Sequence, residues 1–420
     1  MVGVDVNREI INRLSGGDLH ITNEDGLAEL AGKVFESGLL TVQGEPEKAD
    51  IFIIAVPTPC RKKEEVEKKV KNQIASSADG SICNYNTMKP TSIADLSFVE
   101  QATRSILPFL EKENLIIVES TISPGTTVGL VCNLIEDVGF VCGRDIFLAH
   151  APERVLPGNI LTELKNNNRI VGGIGSESGK KAKKFYSTFV KGEIVITDST
   201  TAEMVKLMEN TYRDVNIALA NEFALIAEHV GIDVFEAISL ANRHPRVNLL
   251  TPGPGVGGHC IAVDPYFIIE IAPEISRLIS LSRAINSGMP HHVVELVKNH
   301  VSEKAKKVVI LGASYKANVG DERESPSLVV ASLLTAYGFE VLVHDPYITK
   351  FNKPIDEMVR GADVIVLLTD HNIYKELLNP VHLSGLMRCR YIVDTRNFFS
   401  PQWEAAGFNI KKLGVRSINV

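Results

Sequence analysis

A chain of 420 residues is longer than one ordinary hydrophobic core requires, so we expect two or three domains. Its 44 Lys and Arg residues are outnumbered by 51 Asp and Glu residues, and the net charge of −7 excludes the basic excess typical of nucleic-acid-binding proteins. Six cysteines without metal-ligand spacing, no apolar run of membrane-spanning length and no signal peptide predict a soluble cytoplasmic protein without metal site, disulfide framework or membrane segment.

The first half of the chain alternates short β-branched segments with longer helical patterns, as in β-α-β units with a parallel sheet. We predict strands at residues 2–6, 50–56, 115–119, 146–150 and 169–172. The charged and then polar segment at residues 61–88 is predicted to be a surface helix that leads into a mobile loop. We interpret it as a solvated insertion and assign it no partner.

A helical pattern begins near residue 198. Thr200 and Glu203 are spaced as in a capping box, which predicts a helix from there to about Gly231. A second helical region is predicted at residues 273–302, and strands are predicted at residues 307–311, 340–344, 363–369 and 391–394. A long connecting helix of this kind either carries a dimer interface or packs on its own domain, and the pattern allows both.

The predicted fold class is therefore α/β, with two Rossmann-like domains that each contain a doubly wound parallel sheet. A helical connector joins these two domains. The predicted boundaries are residues 1–198 for the first Rossmann-like domain, 199–302 for a central helical domain and 303–420 for the second Rossmann-like domain.

A glycine-rich segment leads to one of the cysteines. Residues 252–260 are Pro-Gly-Pro-Gly-Val-Gly-Gly-His-Cys, and Asp264 follows Cys260 one helical turn later. Glycines such as Gly257 let the backbone approach a ligand closely, and a thiolate is a good nucleophile where positive charge or amide dipoles lower its pKa. Most lone cysteines are inert core residues, but this glycine setting favours a nucleophile at Cys260 with Asp264 beside it.

The region around Cys260 resembles the active site of the UDP-sugar 6-dehydrogenases, and the resemblance extends over nearly all 420 residues. Residues 243–250 (Arg-His-Pro-Arg-Val-Asn-Leu-Leu) and 259–265 (His-Cys-Ile-Ala-Val-Asp-Pro) are similar to the branch that acts on UDP-N-acetylmannosamine. The UDP-glucose branch usually has serine before the cysteine and Pro-Lys-Asp after it. Pro157 also stands where that branch has a second glutamate, which we interpret as a difference in sugar selectivity.

The resemblance implies a role for each domain, a chemistry and a set of contacts. The implied roles are NAD binding for residues 1–198, dimerisation and catalysis for 199–302, and UDP-sugar binding for 303–420. Members of the family oxidise a sugar C6 alcohol to a carboxylate with two NAD, through a cysteine thiohemiacetal and thioester. Lys206 and Asn210 are four residues apart in a predicted helix, so both project from one face, where an ammonium and an amide can stabilise an oxyanion. Lys206 alone would be a solvated surface charge, but the resemblance implies that this pair lies against the reacting C6.

Two polar segments, residues 119–125 and 151–154, follow predicted strands. The carboxyl ends of parallel strands present ligand contacts, although turn and cap residues occur there too. The resemblance implies that Thr121 positions a water and that Glu153 supports hydrolysis of the thioester. The implied contacts are Ser120 and Thr121 for NAD, and Glu153, Arg154, Lys206, Asn210 and Gly257 for the substrate.

Basic residues follow the first strand of the second α/β domain. Lys316 and Arg323 are suited to phosphate contacts. The resemblance implies that Lys316 binds the UDP-sugar, that Arg323 binds the dinucleotide and that Arg396 is a further substrate contact. Arg246 resembles an arginine that reaches the substrate of the neighbouring subunit, which implies an obligate homodimer or a higher homo-oligomer.

The N-terminal segment departs from the usual dinucleotide-binding pattern of a strand and G-x-G-x-x-G about 20 residues before a ribose-binding acid. Residues 2–6 look like the second strand of such a domain, with Asp5 as that acid, and Val56, Pro57 and Thr58 match later dinucleotide contacts. The sequence has neither a strand nor a G-x-G-x-x-G motif before residues 2–6. The missing first strand would be central in the sheet, so we expect its absence to leave two unpaired strand edges. The amide donors that normally bind the pyrophosphate would be absent with it. We hypothesise an N-terminally truncated product.

The predicted function is the NAD-dependent four-electron oxidation of UDP-N-acetyl-D-mannosamine to its uronate, in polysaccharide biosynthesis. Two alternatives stay open: the same chemistry on UDP-glucose or another UDP-N-acetylhexosamine, and a non-catalytic, truncated UDP-sugar-binding form. The intact Cys260, Lys206, Asn210 and Asp264 argue against the second alternative, and the absence of G-x-G-x-x-G before Asp5 argues for it. A generic hydroxy-acid dehydrogenase fits less well, because it needs neither the cysteine loop nor a second α/β domain.

Overall fold

The structure is a computed structural model that describes residues 1–19, 24, 26–62, 92–155 and 158–416. The segment predicted as a surface helix and loop at 61–88 lies almost wholly outside these residues, and so does Pro157. The described chain divides into two units. The first holds the described residues up to 209 together with 266–271, and the second holds 210–265 and the residues from 272 onwards.

The first unit contains a five-stranded sheet in the order β3-β6-β7-β8-β9. Its strands are β3 (Ile51–Ile54), β6 (Leu115–Val118), β7 (Phe147–His150), β8 (Arg169–Gly173) and β9 (Ile194–Asp198). All neighbouring strands are parallel except β7 and β8, which the sequence did not predict to be antiparallel. Both faces of the sheet are buried, as expected for strands that are almost continuously apolar.

Two smaller strand pairs complete the first unit. β1 (Val2–Val4) pairs in parallel with β2 (Thr41–Gln43), and β4 (Cys60–Lys62) pairs in antiparallel with β5 (Ser92–Ala94). No described strand joins β1 to β3, so among the described residues each has one edge without a strand partner. Val4 and Ile53 on these strands are 46% and 44% exposed.

The helices of the first unit cover the sheet or connect its strands. They are α1 (Arg8–Ser15), α2 (Leu27–Glu36), α3 (Ser97–Ile106), α4 (Asn133–Glu136), α5 (Ile160–Asn166) and α6 (Gly175–Tyr186). A π-helical turn at Thr127–Cys132 leads into α4, and a 3₁₀ turn at Leu107–Phe109 follows α3.

The long helix α7 (Ser199–Val230) confirms the predicted helix, but the predicted capping box is wrong. Asp198 caps the helix, because its carboxylate accepts hydrogen bonds from the amide of Thr201 at 2.8 Å and from its hydroxyl at 2.6 Å. Glu203 is 1% exposed and accepts from the amide of Thr127 at 2.8 Å. Its carboxylate binds a turn of the sheet domain instead of the helix start, which sequence spacing alone does not reveal.

The second unit contains a five-stranded, fully parallel sheet in the order β11-β10-β12-β13-β14. Its strands are β10 (Lys307–Leu311), β11 (Glu340–His344), β12 (Val364–Leu367), β13 (Tyr391–Asp394) and β14 (Asn409–Lys412), the first four of which confirm predicted strands. Its helices are α8 (Val234–Ala241), α10 (Arg277–His300), α11 (Pro326–Ala336), α12 (Ile355–Val359), α13 (Tyr374–Leu377), α14 (Pro380–Leu386) and α15 (Pro401–Ala405). Helix α9 (Asp264–Ile271) begins in the second unit and lies mostly in the first.

One hydrophobic core of the second unit lies between its sheet and its helices. Ala224 and Ala227 of α7, Val293 and Val297 of α10, and Val308 of β10 are all at most 2% exposed within it. The long helix and α10 are therefore attached to the sheet domain that follows them. No helix among the described residues is long and apolar enough to cross a membrane.

Candidate active site

The predicted nucleophile, Cys260, ends an irregular loop that precedes α9. Within this loop Gly258 has a φ of 82°, which side-chain-bearing residues rarely adopt. A Cβ atom at Gly257 would lie 2.7 Å from the Cβ atom of Tyr315 and 2.8 Å from the carbonyl oxygen of Glu324. Only glycine fits there, because the loop is packed against the segment between β10 and α11. We call residues 252–260 the cysteine loop.

The guanidinium of Arg323, which is paired with the carboxylate of Asp321, lies near Cys260. Gly258 donates its amide to the carbonyl of Arg323 at 3.0 Å, which brings the two segments together. The Arg323 guanidinium forms an ion pair with Asp321 at 2.5 Å. That hydrogen bond raises the pKa of Arg323, and the negative charge of a Cys260 thiolate raises it further. The structure thus places Arg323, predicted as a dinucleotide contact, within electrostatic range of the sulfur.

Asp264 and Asn210 are in direct contact. Asp264 is 3% exposed, and its amide donates to the carbonyl of Cys260 at 2.8 Å, where α9 begins. Its carboxylate accepts a hydrogen bond from the side-chain amide of Asn210, and Arg213 donates to the amide oxygen of Asn210. Sequence reasoning missed Arg213, although it lies three residues after Asn210 on the same helix.

Arg396 contacts the start of the cysteine loop. Its guanidinium donates to Asp370 at 3.0 Å and to the carbonyl of Pro252 at 3.5 Å. A Cβ atom at Gly253 would lie 2.5 Å from its Nη1 atom, so a larger residue here would displace the guanidinium. By contrast, Lys316 and Arg246 are exposed side chains, for which the described contacts show no role.

In the first unit, Ser120 joins the loops that follow β3 and β6. Its hydroxyl accepts from the amide of Val56 at 2.9 Å and donates to the carbonyl of the same residue at 2.7 Å. Asp5 follows β1, and its carboxylate accepts from the amide of Asn7 at 2.7 Å. The remaining predicted cofactor contacts lie in the same two loops: Pro57 is exposed, while Thr58 and Thr121 are half-buried.

Glu153 belongs to a cluster around a buried arginine that sequence reasoning missed. Arg169 is 6% exposed, donates to Glu153 and lies 3.3 Å from Glu119. Glu119 also accepts from the hydroxyl of Tyr186 at 2.5 Å, and the Arg169 guanidinium lies 4.2 Å from the ring centroid of Tyr186. Burial raises the pKa of Glu119. A charged residue at the start of a buried strand was the available signal.

The last two predicted residues of the first unit differ in their contacts. Arg154 forms an ion pair with Glu209 and donates to the carbonyl of Asn168, so its guanidinium is tied to its own unit. Lys206 is half-buried on α7, and no hydrogen bond or ion pair joins its ammonium to another described residue. Lys206 and Asn210 lie one turn apart on α7, as predicted.

A further group of candidate ligands lies at the edge of the first core. The ligand atoms of Cys132, Glu136 and Cys142 are within 4.8 Å of one another. Burial raises the pKa of both thiols, so both are neutral side chains that pack against apolar neighbours.

Sequence models of one enzyme family match three consecutive parts of the chain. They are the NAD binding domain at residues 1–190, the central domain at residues 200–288 and the UDP binding domain at residues 309–401 of the UDP-glucose/GDP-mannose dehydrogenase family. The chain belongs to this family. It is an NAD-dependent oxidoreductase, and the predictions of fold class, enzyme class and cofactor are confirmed.

Similar proteins cover nearly the whole chain. A UDP-N-acetyl-D-mannosamine dehydrogenase from Methanocaldococcus jannaschii is 46% identical over 99% of this chain and 91% of its own length. The structure of a UDP-D-ManNAc dehydrogenase from Pyrococcus horikoshii has a TM-score of 0.86 and 38% identity, over 98% of this chain and 93% of that chain. A UDP-N-acetyl-mannosamine dehydrogenase from Staphylococcus aureus has a TM-score of 0.84 and 43% identity, over 98% and 92%.

The chemistry of the strand ends in the first unit fits part of an NAD molecule. The Asp5 carboxylate follows β1 and can accept from ribose hydroxyls, and the Thr58 and Thr121 hydroxyls follow β3 and β6. Dinucleotides bind beyond the carboxyl ends of parallel strands. Among the described residues, none is proposed to bind the pyrophosphate of NAD.

Proposed function

We propose that this protein oxidises the C6 alcohol of UDP-N-acetyl-D-mannosamine to a carboxylate, with Cys260 as the nucleophile. The observation that carries the proposal is the conformation of the cysteine loop. Gly257 and Gly258 allow close contact with Tyr315, and Gly253 lies against Arg396. The loop ends at Cys260, whose carbonyl accepts from the amide of Asp264. The sugar is proposed from the relatives with that activity, which are 43% to 46% identical over 99% of the chain.

NAD, when bound, supplies the hydride acceptor for both oxidations. In the first oxidation, a water ordered by Lys206 or Asp264 takes the proton of the C6 hydroxyl as the aldehyde forms. The Cys260 thiolate then adds to the aldehyde carbon, and the carbonyl oxygen takes a proton to give the thiohemiacetal. Loss of a second hydride and a proton leaves a thioester on Cys260.

Hydrolysis completes the proposed cycle. Water attacks the thioester carbon, Glu153 accepts a proton of that water, and the carbon–sulfur bond breaks to release the carboxylic acid and the Cys260 thiolate. The acid then loses its proton to solvent to give the carboxylate. Thr121 is proposed to position the water. Lys206 and Asn210 are proposed to stabilise the oxyanion in each step, because fixed donors cost no reorganisation as charge develops.

The proposed substrate and cofactor contacts divide by chemistry. Lys316 and Arg396 are proposed to bind the UDP phosphates, Arg323 to bind the dinucleotide, and Arg246 to reach the partner subunit's substrate. In this proposal Arg154 has a supporting role, because its pair with Glu209 already occupies the guanidinium.

Replacement of the nucleophile tests the mechanism. We expect Cys260→Ser to abolish NADH formation while UDP-sugar binding, measured by calorimetry, is retained. Cys389→Ser is the matched control, since Cys389 lies outside the cysteine loop and has no proposed role. Near-normal uronate production by Cys260→Ser, measured by mass spectrometry of the product, would refute the assignment.

A substrate panel tests the sugar. We expect the highest kcat/KM with UDP-N-acetyl-D-mannosamine, compared with UDP-N-acetylglucosamine, UDP-N-acetylgalactosamine and UDP-glucose. A higher value with any of the other three sugars would replace the proposed substrate and leave the cysteine mechanism intact.

A further inference from the structure

A buried row of polar side chains connects α7 and α10 to the start of the cysteine loop. The side-chain oxygen of Asn221 accepts from the amide of Gly253 at 2.9 Å, and its nitrogen donates to the side-chain oxygen of Asn286 at 2.9 Å. The nitrogen of Asn286 donates to the carboxylate of Asp214 at 2.8 Å. Asp214 and Asn221 are 0% exposed and Asn286 is 1% exposed.

The direction of every hydrogen bond in this row follows from Asp214. An ionised carboxylate can only accept, so it fixes the nitrogen of Asn286 towards itself. The oxygen of Asn286 is then left for the nitrogen of Asn221, and the oxygen of Asn221 is left for the Gly253 amide. Arg283, which is 7% exposed, donates to Asp214 at 2.5 Å and supplies the opposite charge.

The row acts at one end of the cysteine loop. Gly253 is also the residue at which Arg396 approaches the loop, and the far end is fixed by the amide of Asp264, which donates to Cys260. A loop that contains four glycines in positions 253–258 has little backbone preference of its own. Its conformation therefore depends on the groups that contact it, which are Asn221 at Gly253, Arg323 at Gly258 and Asp264 at Cys260.

We propose that Asn221 is a positioning residue that holds the Gly253 amide, and with it the cysteine loop, in the conformation from which Cys260 reacts. The proposal rests on the proposed role of Cys260 as the nucleophile. A purely structural role for Asn221 would predict lower stability and an unchanged reactivity of the sulfur. The two roles are therefore separable by measuring both.

The test compares Asn221→Ala with Asn221→Asp in the full chain. Asn221→Ala removes the acceptor for Gly253, and we expect kcat to fall about 10- to 100-fold, because small misplacements of reacting groups cost factors of this size. The dissociation constant for the UDP-sugar should stay within about twofold, since its phosphate contacts are untouched. Asn221→Asp keeps the acceptor for Gly253, and burial favours its protonated form, which still donates to the oxygen of Asn286. This variant should therefore retain more of kcat than Asn221→Ala.

A second readout does not need turnover. Iodoacetamide labelling of Cys260, followed by peptide mass spectrometry, should show an altered rate in Asn221→Ala and a rate closer to the unmodified protein in Asn221→Asp. Thr103→Val is the matched control, because it removes a buried hydrogen bond of 2.7 Å far from the loop in sequence and should lower only the Tm.

The outcomes separate cleanly. If Asn221→Ala lowers the Tm as Thr103→Val does, while kcat and the labelling rate of Cys260 stay unchanged, the positioning role is overturned. If Asn221→Ala does not fold, Asn221→Ser, whose hydroxyl is too short to reach Gly253, is measured in the same way. Full activity of Cys260→Ser would instead refute the proposed function, whatever the result at Asn221.

Discussion

Arg169 is the residue on which two carboxylates of the first unit depend. It contacts Glu119 and the proposed hydrolytic Glu153, and its own side chain is 6% exposed. Removing one member of a buried ionic cluster leaves the others without a partner, which costs more than the intact cluster contributes. We therefore expect Arg169→Met to lower the free energy of unfolding by about 3 kcal/mol.

Urea-induced unfolding measures this loss, and a second arginine provides the control. Arg144 forms an ion pair with Asp145 at 2.8 Å, but its side chain is 71% exposed. Exposed pairs contribute little, so Arg144→Met should change the free energy of unfolding much less than Arg169→Met does. Equal losses for both variants would show that the Arg169 cluster is not a buried ionic network.

His150 gives a prediction about pH. It is 1% exposed at the end of β7, and burial lowers its pKa from 6.5 to about 3. As the pH falls below 6.5, this histidine binds a proton in the unfolded chain but stays neutral in the folded state. Its contribution to the free energy of unfolding is therefore fully present above pH 6.5 and is lost progressively towards pH 3. The decline assigned to this residue is on the order of 4 kcal/mol.

The measurement is urea unfolding at several pH values between 7 and 4.5, for the unmodified protein and for His150→Phe. Phenylalanine keeps a flat apolar ring but cannot take up a proton, so its curve should be flatter in this range. If the free energy of unfolding fell in parallel for the two proteins, the assignment would be contradicted, because groups other than His150 would then account for the whole decline.

At the scale of elements, we expect Gly→Ala substitutions in the cysteine loop and in helix α10 to have opposite effects on stability. Gly258 has a φ of 82°, and a Cβ atom there would lie 2.9 Å from the ring of Tyr315. Gly288 lies within α10, and nothing would lie within 4 Å of its Cβ atom. We expect Gly258→Ala to destabilise by about 1–2 kcal/mol and to lower kcat, and Gly288→Ala to stabilise by about 0.5–1 kcal/mol.

Thermal unfolding and NADH formation measure the two effects. Gly288→Ala controls for the chemical change itself, since both variants add one methyl group. An unchanged kcat in Gly258→Ala would mean that the loop conformation is not required for the reaction.

Strand positions could be predicted because β-branched runs such as residues 307–311 are buried on both faces and occur in order along the chain. β2 was not predicted, because its three residues contain one apolar side chain, whereas β1 begins an alternating series of valines. The candidate nucleophile was also accessible from sequence, because the glycines that allow its loop conformation are adjacent to it. Contacts distant in sequence were not: Arg169 lies 50 residues from Glu119, and Asn221 lies 32 residues from Gly253.

At the scale of the whole molecule, the exposed face of α7 bears on the proposed homodimer. Apolar side chains there follow the spacing of one helical face: Tyr212, Leu219, Phe223, Ile226 and Val230, which are 63%, 38%, 37%, 49% and 56% exposed. The opposite face is buried and carries Ala218 and Ala224, which are at most 1% exposed. A helix whose exposed face is also apolar requires a second surface to cover it.

We therefore expect this face of α7 to be the contact between two copies of the chain, related by twofold symmetry. Ile226→Glu places a carboxylate in the middle of the face and should shift the protein towards the monomer in sedimentation velocity at micromolar concentration. Leu240→Glu is the matched control, because it places the same carboxylate at an apolar position of α8 that is 53% exposed, and it should leave the dimer intact. Because Arg246 is proposed to reach the partner subunit's substrate, the monomeric variant should also lose activity. A dimer that persists in Ile226→Glu would place the interface elsewhere.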